Sequence, residues 1–239
     1  MSALSGGLDI GFSLVAIATV LAMGGDLDPL VTRLLLANAY AVGFVFVVMG
    51  RSELFTEQTT LAVLPILHRR AGITDLGRLW LIVYVGNLCG AIVFAAIAAV
   101  LLPAAGIASG RLLGDLASSI TAGGPLAMLL SAMLAGWLMG LLSWLLTAGR
   151  DTISQIVFVW LVTALIGFAG LHHSILGAVE VLAGLFSGSG PDVDAFLRFL
   201  ALATIGNAVG GGVFVALLKY SHSVRGTRLT PVDLEPPSP

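Results

Sequence analysis

Charge is what this chain has least of. Only 10% of its 239 residues are Asp, Glu, Lys or Arg, where a soluble domain carries roughly 25%. A formal net charge of -2, with no basic stripe, excludes strong electrostatic attraction for nucleic acid. The single cysteine, Cys89, cannot close an internal disulfide, and no Cys/His grouping has zinc spacing, so no metal or cofactor is expected. The apolar segment after Met1 has neither a basic n-region nor a small-residue cleavage site, and reads as a span that stays. What fills the chain instead is 58% hydrophobic, with a mean hydropathy of +1.04. That is the composition of a polytopic membrane protein with the lipid bilayer as its surroundings.

Six spans can be marked, at 4–23, 32–67, 79–102, 125–146, 154–186 and 194–220. The shorter ones are close to the ~20 residues a helix needs to cross the hydrocarbon core. The second is interrupted by Gly50-Arg51-Ser52-Glu53-Leu54-Phe55-Thr56-Glu57, which puts three charges at bilayer depth. Irregular backbone and ionisable groups persist there only when buried in protein or lining a cavity. This break is therefore a candidate transport site. The sequence predicts one transmembrane domain over 1–222 and a disordered tail over 223–239, rich in proline.

An internal repeat supports this reading. Gly86-Asn87-Leu88-Cys89-Gly90 reads against Gly206-Asn207-Ala208-Val209-Gly210 at an offset of 120 residues, which also lays Gly50 on Gly170 and Arg51-Ser52-Glu53-Leu54 on Leu171-His172-His173-Ser174. Each half, about 1–103 and 121–222, holds three spans, an odd number. The halves must then enter the membrane in opposite directions, giving an all-α, aquaporin-like inverted 3+3 repeat with broken second and fifth helices. Glycines at these spacings serve close helix packing, whereas Asn87 and Asn207 could either line the pore axis or brace the two breaks. Arg69, Arg70, Arg78, Arg150, Lys219, Arg225 and Arg228 fall on one side, against Arg33, Arg111 and Arg198 on the other. The first side, with both termini, is thus expected to be cytoplasmic.

Leu54-Phe55-Thr56 in the second span, His173-Ser174 in the fifth and Gly206-Asn207-x-x-Gly210-Gly211-Gly212 in the sixth closely resemble the formate/nitrite transporter family. The resemblance runs from the first span to about Tyr220. It implies a homopentamer in the cytoplasmic (inner) membrane, each protomer with its own pore for a small monovalent anion such as formate, nitrite or hydrosulfide, coupled to a proton. Carried over by position, His173 is the central histidine and Thr56 its hydrogen-bonding loop threonine. Leu54 and Phe44 with Met139 would form the cytoplasmic constriction and Tyr40 with Ile166 the outer one, with Phe55 a further constriction residue. A histidine between apolar constrictions is desolvated, which favours its neutral form and lets an arriving weak-acid anion compete for the proton. Amides exposed at the breaks could offset part of the anion's cost.

The chain also departs from the family pattern. Arg51 replaces a small residue, Glu57 follows the threonine, His172 replaces an acidic residue, and Gly177 stands where formate channels commonly carry asparagine. Ile120 falls where a basic loop residue is expected, and the amphipathic helix before the first span is missing. An ion pair from Arg51 to Glu53 or Glu57 would neutralise part of the loop charge and rigidify the loop, whereas a Glu57 facing the pore would repel anions. These changes indicate a divergent branch with its substrate open. Glu180, two turns beyond His173, is expected at a vestibule or a subunit contact, and Asp9 in the first span is equally open. A closed or vestigial pore with an assembly or sensory role is the alternative reading. A membrane-embedded hydrolase using Ser174 or Ser52 is the weaker one, because neighbouring His173 and Ser174 cannot easily form a base-to-nucleophile hydrogen bond.

Overall fold

Four of the helices start at a side chain suited to receive the free amides of a first turn. Asp28 accepts from Leu30 N–H at 2.8 Å, Ser109 from Leu112 N–H at 3.1 Å, Asp151 from Ser154 N–H at 2.9 Å and Asp192 from Ala195 N–H at 2.8 Å. Each is a short polar residue directly before an apolar run. The computed structural model describes residues 1–67 and 70–217. Arg69, Lys219, Tyr220, Arg225, Arg228 and the expected tail 223–239 lie outside the described residues.

In chain order the helices are α1 (Ser2–Asp9), α2 (Phe12–Met23), α3 (Pro29–Met49), α4 (Phe55–Leu61), α5 (Val63–Leu67), α6 (Ile73–Ala104), α7 (Gly110–Thr121), α8 (Pro125–Ala148), α9 (Thr152–Ala169), α10 (Ser174–Phe186) and α11 (Val193–Ala208). The last continues as a π-helical stretch, Val209–Leu217. Six segments among the described residues are long and apolar enough to cross a membrane: Ser2–Met23, Pro29–Met49, Ile73–Ala104, Pro125–Ala148, Thr152–Ala169 and Val193–Val213. Helix α6, at 32 residues, is about 48 Å long and outruns a hydrocarbon core of about 30 Å.

The two halves repeat the same packing. Helix α1 lies on α6 as α8 lies on α11, and α3 packs along α9. A Cβ on Gly90 would collide with the carbonyl of Leu4, and one on Gly210 with the carbonyl of Met133. These two glycines let the backbones approach as the packing reading of the sequence requires. Leu4 and Met133 are 129 residues apart, not 120, so the loops of the two halves absorb the difference. Helix α7 was not expected. It carries Leu112, Leu113, Leu116, Ala117 and Ile120 on one face, and it packs against α10.

Candidate functional site

Both breaks are built on one backbone plan. At the end of α3 the Ser52 N–H donates to Val47 O at 2.9 Å and Arg51 N–H to Val48 O at 3.2 Å. At the end of α9 the Leu171 N–H donates to Ile166 O at 3.0 Å and Gly170 N–H to Gly167 O at 3.2 Å. Arg51 and Gly170 are the left-handed residues of these turns, with φ of 56° and 65°. This closing pattern ends many helices. It pairs Arg51 with Gly170, an offset of 119, and so corrects the sequence register by one. Gly50 is right-handed at φ -73° and is not the counterpart of Gly170. Leu54 becomes the counterpart of His173, and both residues are extended caps, at φ -112°, ψ 135° and φ -107°, ψ 127°.

The asparagines brace the breaks. Asn87 Oδ1 accepts from Phe55 N–H at 2.8 Å, while its Nδ2 donates to Ala3 O at 2.6 Å and Glu53 O at 2.8 Å. Asn207 Oδ1 accepts from Ser174 N–H at 2.8 Å, and its Nδ2 donates to Ala132 O at 2.8 Å and His172 O at 3.0 Å. Each amide thus uses both donors and its acceptor to tie a break to two helices, as buried polar groups must. The first amides of α4 and α10 are consequently engaged and do not stand open to an anion, contrary to the expectation for those two positions.

His173 joins the two breaks. Its Nε2 lies 2.9 Å from Thr56 Oγ1, and its Nδ1 accepts from Leu176 N–H at 3.2 Å, which caps α10. Because Nδ1 is an acceptor, the neutral ring carries its proton on Nε2 and donates it to Thr56. The ring is 2% exposed and meets Phe44 edge to face at 5.0 Å, with Tyr40 stacked on Phe44 at 5.4 Å. Thr56 sits on the seven-residue α4, which is held by three further bonds. Thr59 Oγ1 donates to Thr56 O at 2.7 Å, Thr60 Oγ1 to Gly211 O at 2.9 Å and Trp80 Nε1 to Gln58 O at 3.1 Å. The carbonyl that receives Thr60 belongs to the π-helical stretch, a distortion common at functional sites.

A cavity of about 610 Å³ reaches His173 from one side and is bordered by Tyr40, His172, Gly177 and Glu180. Phe44, Leu54, Met139 and Ile166 are fully or almost fully buried, do not border it, and share one apolar core with Phe55. Phe55 packs its ring against Tyr84 at 4.9 Å and Trp80 at 6.0 Å. Of the predicted residues, the structure therefore gathers His173, Thr56, Phe44 and Tyr40 in direct succession.

The loop ion pair does not form. Among the described residues the ion pair is Arg111 with Asp115, at 4.0 Å. Arg51 is exposed at its left-handed turn, and Glu57 lies on the first turn of α4. What organises this loop is a residue of unassigned role. Asp9 Oδ2 accepts from Ser52 Oγ at 2.7 Å and Ser5 Oγ at 3.0 Å. Two departures from the family pattern meet each other, since His172 Nε2 contacts Ile120 O at 3.1 Å and its Nδ1 contacts Ser131 Oγ at 2.8 Å. A third is filled, because the buried ring of Phe199 occupies the space where a side chain on Gly177 would begin. Ser174 Oγ has no hydrogen-bond partner and both His173 nitrogens are engaged elsewhere, so no nucleophile and base are paired there.

These features can be set against known proteins. The inner membrane protein YfdC of Escherichia coli is 31% identical over 227 residues, 94% of this chain and 71% of that protein. The probable formate transporter of Methanothermobacter thermautotrophicus is 33% identical over 204 residues, 79% of this chain and 74% of that protein. A solved pentameric formate channel with formate bound shares the fold at a TM-score of 0.80 and 24% identity, covering 94% of this chain and 96% of that one. A sequence model described as formate/nitrite transporter matches residues 1–221. The two joined breaks thus lie in a multi-pass membrane transport protein, and the chain belongs to the formate/nitrite transporter family.

Proposed function

We propose that the protein is a homopentameric channel of the cytoplasmic membrane, with both termini cytoplasmic, inverted halves and one pore per protomer. It passes a small monovalent weak-acid species, of the class of formate, nitrite or hydrosulfide, as the conjugate acid past an uncharged His173. The observation that carries this reading is the position of His173, which bridges the two breaks through Thr56 between an open cavity and the apolar cluster of Phe44, Leu54, Phe55, Met139 and Ile166, which we take as a plug. The relatives named for formate transport and the pentameric formate channel support the substrate class and the assembly.

The chemistry follows from the hydrogen bonds of the ring. A second proton on Nδ1 would face the Leu176 N–H and break the cap of α10. The ring therefore offers Nε2–H to a permeant without holding a standing charge, and the proton that accompanies the anion stays on the permeant. A bare anion crossing the plug faces a cost on the order of 2.5–3.5 kcal/mol, judged from intramembrane charge scales. The conjugate acid crosses uncharged. Uptake of formate, nitrite or hydrosulfide into proteoliposomes should rise as external pH falls. His173→Ala should reduce it at least about tenfold, the equivalent of roughly 1.4 kcal/mol in the barrier. Intact oligomers that move no small anion at any pH would instead establish the closed, assembly or sensory reading.

A further inference from the structure

Glu180 borders the cavity that ends at His173, and the mechanism above gives it no part. It follows His173 by seven residues, which on an α-helix returns to the same face about 10 Å further along the axis. Glu180 is 6% exposed, and no hydrogen bond or ion pair holds its carboxyl group among the described residues. A carboxyl group this buried is ordinarily paired. Here it is left to face the space a permeant must cross.

The rest of the wall supplies no positive charge to offset it. Tyr40 of α3 and Asp115 of α7 border the same cavity, with His172 and His173 ahead of α10, and among the described residues no lysine or arginine does. Helices α2, α6 and α11 also pack on α10, and none contributes a charged or titratable side chain to the lining. Arg198 of α11 is directed to Thr121 O at 3.4 Å. Both ring nitrogens of His172 are engaged by Ile120 O and Ser131 Oγ. An anion entering this space loses water and gains no cation in return. Beside an ionised Glu180 it also meets a like charge. An undissociated acid meets neither penalty, and its O–H can donate to the carboxylate.

We propose that Glu180 is a specificity-determining residue of this cavity, holding off the anion and admitting its conjugate acid, a small undissociated monobasic acid, on the way to His173. The proposal rests on the transport reading above. Its test is formate passage through reconstituted wild type and Glu180→Gln across acidic to alkaline pH, with anion current recorded under voltage clamp and acid uptake recorded as internal acidification. The two proteins should coincide at acidic pH. They should diverge as pH rises, Glu180→Gln passing about tenfold more anion current, as expected for removing one charge some 10 Å or less from the path at an effective dielectric near 20. Tyr40, Asp115, His172 and His173 are common to both proteins and cancel in that difference, and Glu180→Asp should keep the wild-type profile.

Identical ratios of anion current to acid uptake in wild type and Glu180→Gln at every pH would overturn the role of Glu180 while leaving transport standing. Wild type that carries neither species overturns the transport reading itself. Should Glu180→Gln not assemble, dicyclohexylcarbodiimide applied to the wild-type oligomer decides the matter by peptide mapping. Modification at Glu180 with loss of acid uptake is the expected result. An unmodified Glu180 overturns the proposal, because its carboxyl group then does not face the cavity.

Discussion

The break after α3 and the break after α9 have the same skeleton and different contents. Each closes its helix with a left-handed residue, extends through a cap residue and has the first amide of the next helix held by an asparagine. The cap is Leu54 in one and His173 in the other. The backbone of a broken helix at membrane depth is satisfied mainly by the turn and the asparagine, which leaves the Leu54 side chain free and, once His173 Nδ1 has received Leu176 N–H, leaves Nε2 for chemistry. Only the second break uses that freedom for a titratable ring. The first supplies Thr56, which receives the ring's proton, and an apolar wall in Leu54.

If the asparagines hold both breaks in the same way, removing either should have the largest structural effect and similar size. Asn87→Ala orphans Phe55 N–H and the carbonyl of Glu53 and removes a second bond to the helical carbonyl of Ala3. Asn207→Ala orphans Ser174 N–H and the carbonyl of His172 and removes a second bond to the helical carbonyl of Ala132. At about 1–3 kcal/mol per buried unpaired group, each variant should lose several kcal/mol. The fraction of oligomer surviving graded heating in detergent measures it. A variant of one asparagine that behaves as wild type while the other collapses would show that the two breaks are not held alike.

A smaller effect is expected at the left-handed turns. A Cβ at Gly170 would touch nothing within 4 Å, so Gly170→Ala isolates the conformational penalty of a left-handed turn, roughly 1–2 kcal/mol. A lowered melting temperature of the detergent-solubilised oligomer is the expected result. No change would mean that the end of α9 relaxes without cost and that the turn does not define the break.

The first break was legible because charge in an apolar run has no neutral explanation, and the second because a repeat pointed to it. The spans were legible from length and composition. The pairing of Thr56 with His173 came from family resemblance, since nothing local in either segment announces a partner 117 residues away. The register of the breaks misled by one position. Gly50 and Gly170 are identical residues, but Arg51 takes the left-handed geometry that glycine usually takes. The bracing role of Asn87 and Asn207 was left open by sequence because a bracing and a pore-lining asparagine look the same in one dimension. Helix α7 was missed because 12 residues with Arg111, Asp115 and two serines read as a polar loop. Its Ser109 cap and the spacing of Leu112, Leu113, Leu116 and Ile120 were the available signals.

Arg51→Gly is the smallest change and the one that bears most directly on the comparison, because it gives the first break the left-handed residue of the second. Two terms oppose each other. Glycine relieves a left-handed penalty of roughly 1–2 kcal/mol, and it costs about 0.5–1 kcal/mol of extra unfolded-chain entropy. The side chain removed is exposed and holds no ion pair within 4.0 Å among the described residues, so no further loss should enter. The oligomer should therefore gain up to about 1.5 kcal/mol in stability, seen as a slightly raised melting temperature with formate uptake unchanged. A loss of stability would mean that the Arg51 guanidinium holds something beyond a single protomer, a lipid headgroup or a neighbouring subunit. The first break would then differ from the second in its surroundings as well as in its cap.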